Sequence, residues 1–152
     1  MRNYIHNNPV KLYFGQGQLA NLGPELAALG KNVLLTYGGG SIKKIGVYDE
    51  VMKILTEGGF NVVELSGIDP NPRITSVKEG VALCKEHHID VVLAVGGGST
   101  IDCSKAICAG VYYEGDLGEM ASTRHGRLKA LPLVTVLTLS ATGSEFDSGA
   151  VI

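Results

Sequence analysis

The stretch Asp90-Val91-Val92-Leu93-Ala94-Val95-Gly96-Gly97-Gly98-Ser99 decides the fold. Its apolar run is short and bounded by glycine, the mark of a strand buried on both faces of a parallel sheet. The glycines let the backbone turn sharply, and a serine stands where a helix would open. Behind it, Thr100 to Val111 is apolar nearly all round, which predicts a buried helix. Strand, glycine loop and helix in succession form the unit of an α/β fold.

The same design occurs earlier, where Val33 to Tyr37 runs into Gly38-Gly39-Gly40-Ser41. Working outward, Val10 to Phe14 reads as a short leading strand. Gln18 to Leu29 carries Leu19, Leu22, Leu26 and Leu29 at helical spacing, with Gly23-Pro24 expected to break or kink it. Val47 to Gly58 places Val47, Val51, Ile54 and Leu55 on one helical face, and Gly58-Gly59 ends it. Asn61 to Leu65 is a strand. Asn71-Pro72 reads as a cap followed by proline in the first helical turn. Ile74, Val77, Val81, Cys84 and His88 then mark an amphipathic face. Leu131 to Leu137 is the final strand, followed by the small-residue loop Ser140 to Ser144. Residues 1–152 are therefore expected to form one α/β domain, a Rossmann-like parallel sheet with helices on both faces.

Composition excludes several classes. The chain has 152 residues, 45% hydrophobic and 18% charged, an ordinary globular balance. A net charge of -2 gives no footprint for nucleic acid or an anionic membrane. The apolar stretches are too short to span a bilayer, and Met1 to His6 lacks a signal-peptide core. Cys84, Cys103 and Cys108, without a CxxC pair, fit reduced core thiols of a cytoplasmic protein. The final Gly149-Ala150-Val151-Ile152 reads as the start of a further apolar strand, so a truncated chain is expected.

The 21 glycines matter mainly where they cluster. At the carboxyl ends of parallel strands, glycine lets a phosphate approach the backbone, and a helix start offers free N–H groups. Gly38, Gly39, Ser41, Gly96, Gly97, Gly98 and Ser99 are thus candidate phosphate contacts. Neither loop is GxGxxG or GxxxxGK[ST], so a tight turn capped by serine remains the other reading. Ser99 and Asp102 have capping-box-like spacing; alternatively Ser99 meets a pyrophosphate and Asp102 a ribose hydroxyl or the nicotinamide side. Thr138 and Thr142 flank a low-profile hydroxyl loop suited to a ribose or carboxamide, or simply a Ser/Thr turn.

Gly96-Gly97-Gly98-Ser99 with Asp102, Lys105 and Ala106 resembles the GGGSxxDxxKA stretch of iron-containing alcohol dehydrogenases. Asp69-Pro70-Asn71-Pro72, Thr142-Gly143-Ser144-Glu145 and Phe14-Gly15-Gln16-Gly17 resemble further motifs of that family, in order, from Val10 to Ile152. Tyr37-Gly38-Gly39-Gly40-Ser41 is most similar to the butanol dehydrogenase branch. The resemblance implies a dehydroquinate synthase-like cofactor domain followed by an all-helical domain that is absent here. In the family that second domain supplies one Asp and three His to iron or zinc, which polarises the carbonyl while the nicotinamide delivers hydride. His6, His87, His88 and His125 show no ligand spacing, so neither a metal ligand nor a catalytic residue is assigned, and this chain alone is expected not to turn over alcohols.

The resemblance also implies a small alcohol or aldehyde substrate and a homodimer, with Val10 to Phe14 as an edge strand able to pair between copies. Family members that use NAD carry an Asp after the first strand. Here Gly38 to Ser41 stands there, with Lys43 and Lys44 behind it. That favours NADP(H), with NAD(H) as the alternative; the lysines read otherwise as a solvated helix face. The rivals are a polyol or glycerol dehydrogenase and a non-catalytic nucleotide-binding module.

Overall fold

The computed structural model describes residues 8–123 and 128–152; His6 and His125 lie outside them. Four strands form one sheet in the order β2-β1-β3-β4: β1 (Asn32–Thr36), β2 (Asn61–Leu65), β3 (Val91–Gly96) and β4 (Leu133–Leu137). Every pairing is parallel, with Leu34 opposite both Val63 and Val92, and Ala94 opposite Thr135.

The pleat sends alternate residues to opposite faces, and each face meets its own core. Leu34 and Val92 pack with Val77, Val81, Cys84 and Ile107 from α4 (Ile74–Glu86) and α5 (Gly98–Gly110). Val33, Leu35, Val91 and Leu93 pack with Leu26, Ile42, Val51 and Leu55 from α1 (Leu22–Ala27), α2 (Ser41–Lys44) and α3 (Val47–Glu57). Helices therefore cover both faces, and β1 and β3 are almost wholly buried. Glycine sets the spacing of α4 on α5. A Cβ on Gly80 would stand 2.3 Å from Ile107 Cδ1, and one on Gly110 would stand 2.7 Å from Val81 Cγ2.

Several expectations need correction. Val10 to Phe14 forms no strand, and Phe14 is 90% exposed. No described strand pairs with it, so its backbone gains no ladder; instead Lys11 and Tyr13 both donate to the Glu25 carboxylate of α1. The helix expected over Gln18–Leu29 is a 3-10 turn, Gln18–Asn21, followed by α1. Pro24 lies in the first turn of α1, where its missing N–H costs nothing, so Gly23-Pro24 begins this helix rather than breaking it.

Asn71 does not cap α4. After a bend at Asn71, Arg73 is extended (φ −106°, ψ 152°) and precedes the helix without a side-chain cap. An extended residue before proline suits a loop as well as a cap, and the helix opens two residues later than expected, after Arg73. His88 leaves the apolar face of α4: it is exposed beyond the helix end, with φ 50°. Gly149 to Ile152 is not a strand. An unforeseen sixth helix, α6 (Leu117–Ser122), is capped by Asp116, which accepts from the N–H groups of Gly118 and Glu119 at 2.8 and 3.0 Å. All three cysteines are buried and free. Among the described residues no helix is long and apolar enough to cross a membrane.

Candidate functional site

The strand order creates the site. From β1 the chain crosses to β2 on one side, then returns to β3 on the other side of β1. Helices leave β1 and β3 toward opposite faces, so a crevice opens between the carboxyl ends of these strands, at the switch point where open α/β sheets bind ligands. Gly38–Ser41 leaves one lip and Gly96–Ser99 the other, because Thr36 pairs with Ala94. β4 continues the rim, with the Thr138 N–H donating to the Gly96 carbonyl at 3.0 Å.

The glycines divide into two kinds. A Cβ on Gly96 would stand 2.7 Å from Thr100 Oγ1, one on Gly38 would stand 3.3 Å from the Ile68 carbonyl oxygen, and one on Gly98 would stand 3.2 Å from Thr142 Oγ1. These positions are small because protein already fills the space. At Gly39, Gly40 and Gly97 a Cβ would meet nothing within 4 Å. Gly40 is glycine because of its φ of 114°. Gly97 has an ordinary extended backbone, φ −90° and ψ −171°, so neither strain nor crowding explains its missing side chain. The first N–H groups of α5 have no partner within that helix, and they open onto the same crevice.

The two loops are not equivalent. The Gly96–Ser99 loop feeds a helix running to Gly110, whereas Ser41 opens only the short turn α2. Helix-dipole support for an anion is therefore concentrated at β3. Ser41 is exposed and makes no capping bond.

Ser99 is not a cap either. Gly97 holds the cap position, and the Ser99 hydroxyl donates to the Pro70 carbonyl at 2.5 Å, tying the loop to the Asp69–Pro72 turn. Asp102 lies one turn into α5 with its side chain 18% exposed. Its Oδ1 accepts from the buried Ser144 hydroxyl at 2.5 Å, and its Oδ2 from the Val151 N–H at 3.2 Å. Thr138 is half-buried at the end of β4, and Thr142 is exposed above Gly98.

Sequence reasoning passed over two groups. Lys105 bonds Ser144 and Asp147; the sequence placed it in the GGGSxxDxxKA resemblance but gave it no role. Beside the first loop, Tyr37 and Tyr48 donate to Glu64 at 2.6 and 3.0 Å, and Lys43 Nζ stands 5.2 and 4.6 Å from their ring centroids. Burial, reinforced by the Glu64 carboxylate, holds both phenols above their ordinary range. No sequence period links Tyr37, Tyr48 and Glu64, which come from different elements. An open groove of about 1890 Å³ runs along β4 between the Pro9–Leu22 and Phe146–Ile152 segments, lined by Thr138 and Ser144 but by neither glycine loop. Among the described residues no three His, Cys, Asp or Glu side chains are placed to hold a metal.

The family model described as "Iron-containing alcohol dehydrogenase" matches residues 9–152. This chain belongs to that family. It is 55% identical over 152 residues to the Bacillus subtilis "Probable NADH-dependent butanol dehydrogenase 1", covering 100% of this chain and 39% of the relative. It is 41% identical over 155 residues to the Escherichia coli "NADPH-dependent aldehyde reductase YqhD", again covering 100% and 39%. The crystal structure of NADH-dependent butanol dehydrogenase A from Thermotoga maritima superposes with a TM-score of 0.86 at 45% identity, over 94% of this chain and 36% of that one. The chain thus spans about two-fifths of the length of these curated relatives.

Proposed function

We propose that this chain binds a nicotinamide dinucleotide across the crevice between β1 and β3, as the cofactor domain of an alcohol dehydrogenase or aldehyde reductase. The observation that carries this reading is Gly97: it caps α5 with its Cβ position open and its backbone unstrained, which leaves room for a ligand's phosphate against the first N–H groups of the helix. Gly96, Gly97, Gly98 and Ser99 would cradle the pyrophosphate at the start of α5. Gly38, Gly39 and Ser41 would border the adenosine ribose. Asp102, Thr138 and Thr142 would face the nicotinamide half. An ionised carboxylate has about four acceptor sites, and the two protein bonds of Asp102 leave capacity for ribose hydroxyls.

The bound nicotinamide supplies the hydride chemistry; this chain binds and orients it. The described residues offer no ligand set for iron or zinc, so no step is assigned to a metal here. Hydride exchange between the nicotinamide and a primary alcohol or aldehyde is proposed for the whole protein. We also propose a homodimer, supported by the exposed apolar Val10–Phe14 segment; a monomeric mass in light scattering would overturn it.

For the cofactor's 2′ position, the Gly38–Ser41 loop bears no carboxylate, and Lys43 stands near it, which favours NADP(H). The name of the Bacillus subtilis relative favours NADH instead. Thermal stabilisation by NADPH, NADH and inorganic phosphate at matched concentrations decides between them, because a ligand of the folded state raises the melting temperature by mass action. A larger shift with NADPH supports the loop reading, and a larger shift with NADH overturns it. No shift with either dinucleotide overturns the binding site itself.

A further inference from the structure

We infer that Lys105 is the positioning residue for the nicotinamide half of the site, an inference that rests on the dinucleotide reading above. Its ammonium donates to Ser144 Oγ at 2.8 Å, to Asp147 Oδ1 at 2.8 Å and to the Gly149 carbonyl at 2.7 Å. An ammonium has three protons, so its donor capacity is full. The side chain is only 15% exposed and springs from the rigid second turn of α5. All three acceptors lie on one strap, the segment that follows β4.

Asp102 grips the same strap from one turn earlier. It accepts from Ser144 Oγ and from the Val151 N–H, while Lys105 Nζ stands 3.8 Å from its Oδ1. Ser144 is therefore held from both sides, accepting from the lysine and donating to the carboxylate. Fixing Ser144 anchors one end of the loop that carries Thr142, two residues earlier, with its hydroxyl over Gly98 at the start of α5. The direction in which Asp102 offers its remaining acceptor sites is set by the same network. Lys105 itself spends every proton on the strap, so it acts on a ligand only through Thr142, Ser144 and Asp102.

This placement predicts an asymmetry between the halves of the dinucleotide. The strap borders β3 and β4, whereas the Gly38–Ser41 loop borders β1. Loosening the strap should weaken a ligand that reaches across the crevice and spare one confined to the adenosine side. A lysine that merely glues the fold together would affect both ligands alike.

The test titrates the unmodified chain, Lys105→Met, Lys105→Arg and Asp147→Asn with NADPH, NADH and AMP by calorimetry, alongside melting curves; AMP lacks the pyrophosphate that would lie under Thr142. Lys105→Met is expected to weaken the preferred dinucleotide about tenfold and leave AMP unchanged. Lys105→Arg should recover part of that loss. Asp147→Asn should show the same selectivity at smaller amplitude; Asp147 is an exposed partner, so this variant carries the test if Lys105→Met fails to fold. Unchanged dinucleotide affinity in the folded variants, or equal losses for dinucleotide and AMP, would overturn the inference. If the unmodified chain binds AMP but neither dinucleotide, or binds none of the three, the dinucleotide reading itself falls and takes the inference with it.

Discussion

The Thr36 hydroxyl on β1 lies 2.7 Å from the Ser104 hydroxyl on α5, and both residues are fully buried. Ser104 donates onward to the Thr100 carbonyl at 2.7 Å, and Thr36 lies 3.3 Å from the Leu93 carbonyl oxygen of β3. A polar thread thus joins β1, β3 and α5 within an otherwise apolar layer. Thr36→Val keeps the shape but removes the bond. It is expected to cost about 1–2 kcal/mol, read as a lower urea midpoint at unchanged slope. An unchanged midpoint would show that the pair adds nothing to stability.

Adjacent glycines should respond in opposite ways. Gly96→Ala forces a Cβ to within 2.7 Å of Thr100 Oγ1 and should cost about 1–3 kcal/mol in a denaturant melt. Gly97→Ala meets no protein atom within 4 Å, so it should lose no more than the ~1 kcal/mol by which alanine caps a helix less well than glycine. Its dinucleotide affinity should nevertheless fall about tenfold. Wild-type affinity in Gly97→Ala would remove the observation on which the binding site rests.

The buried thiols predict an alkaline weakness. Burial pushes Cys84 up to about 12 and Cys103 up to about 11, and raises Cys108 as well, with a smaller push from Cys84. In the unfolded chain a thiol ionises near pH 8.5, so the unfolded state loses protons first. The stabilisation from the neutral buried thiols is complete below about pH 8.5 and is lost progressively as pH rises toward the folded values. Midpoints measured from pH 7 to 10.5 should fall more steeply than those of a Cys84→Ala, Cys103→Ala, Cys108→Ala triple variant. Equal slopes would refute this. The same burial predicts slow alkylation of all three thiols until denaturant is added.

The sheet was legible because β1 and β3 are buried on both faces, and a run such as Val91 to Val95 has few other ways to fold. The glycine loops followed from their place at the strand ends. Val10–Phe14 misled because a short stretch of this composition is a strand only where a neighbour supplies the ladder, and here the side chains of Lys11 and Tyr13 engage α1 instead. Asn71 misled because an Asn-Pro pair fits an extended loop as well as a cap, and α4 opens only after Arg73. Ser99 looked like a cap, but the carbonyl it meets belongs to Pro70, which becomes its neighbour only when β3 docks beside β1. The Lys105 network was hidden in the same way, since its acceptors lie beyond β4. The cap at Asp116 was the exception: Asp116 with Glu119 in the first turn is a local pattern that could have been read directly.

The order β2-β1-β3-β4 brings the two glycine loops together only after the chain has passed through β2 and α4. Occupancy of the crevice and closure of the sheet are therefore linked equilibria, and each must favour the other by the same factor. A molecule lying across both lips acts as a clasp on the intervening segment without touching it. Amide hydrogens of β2 and α4 should exchange more slowly in the loaded protein, so that a ligand's presence is legible in a part of the fold it never meets.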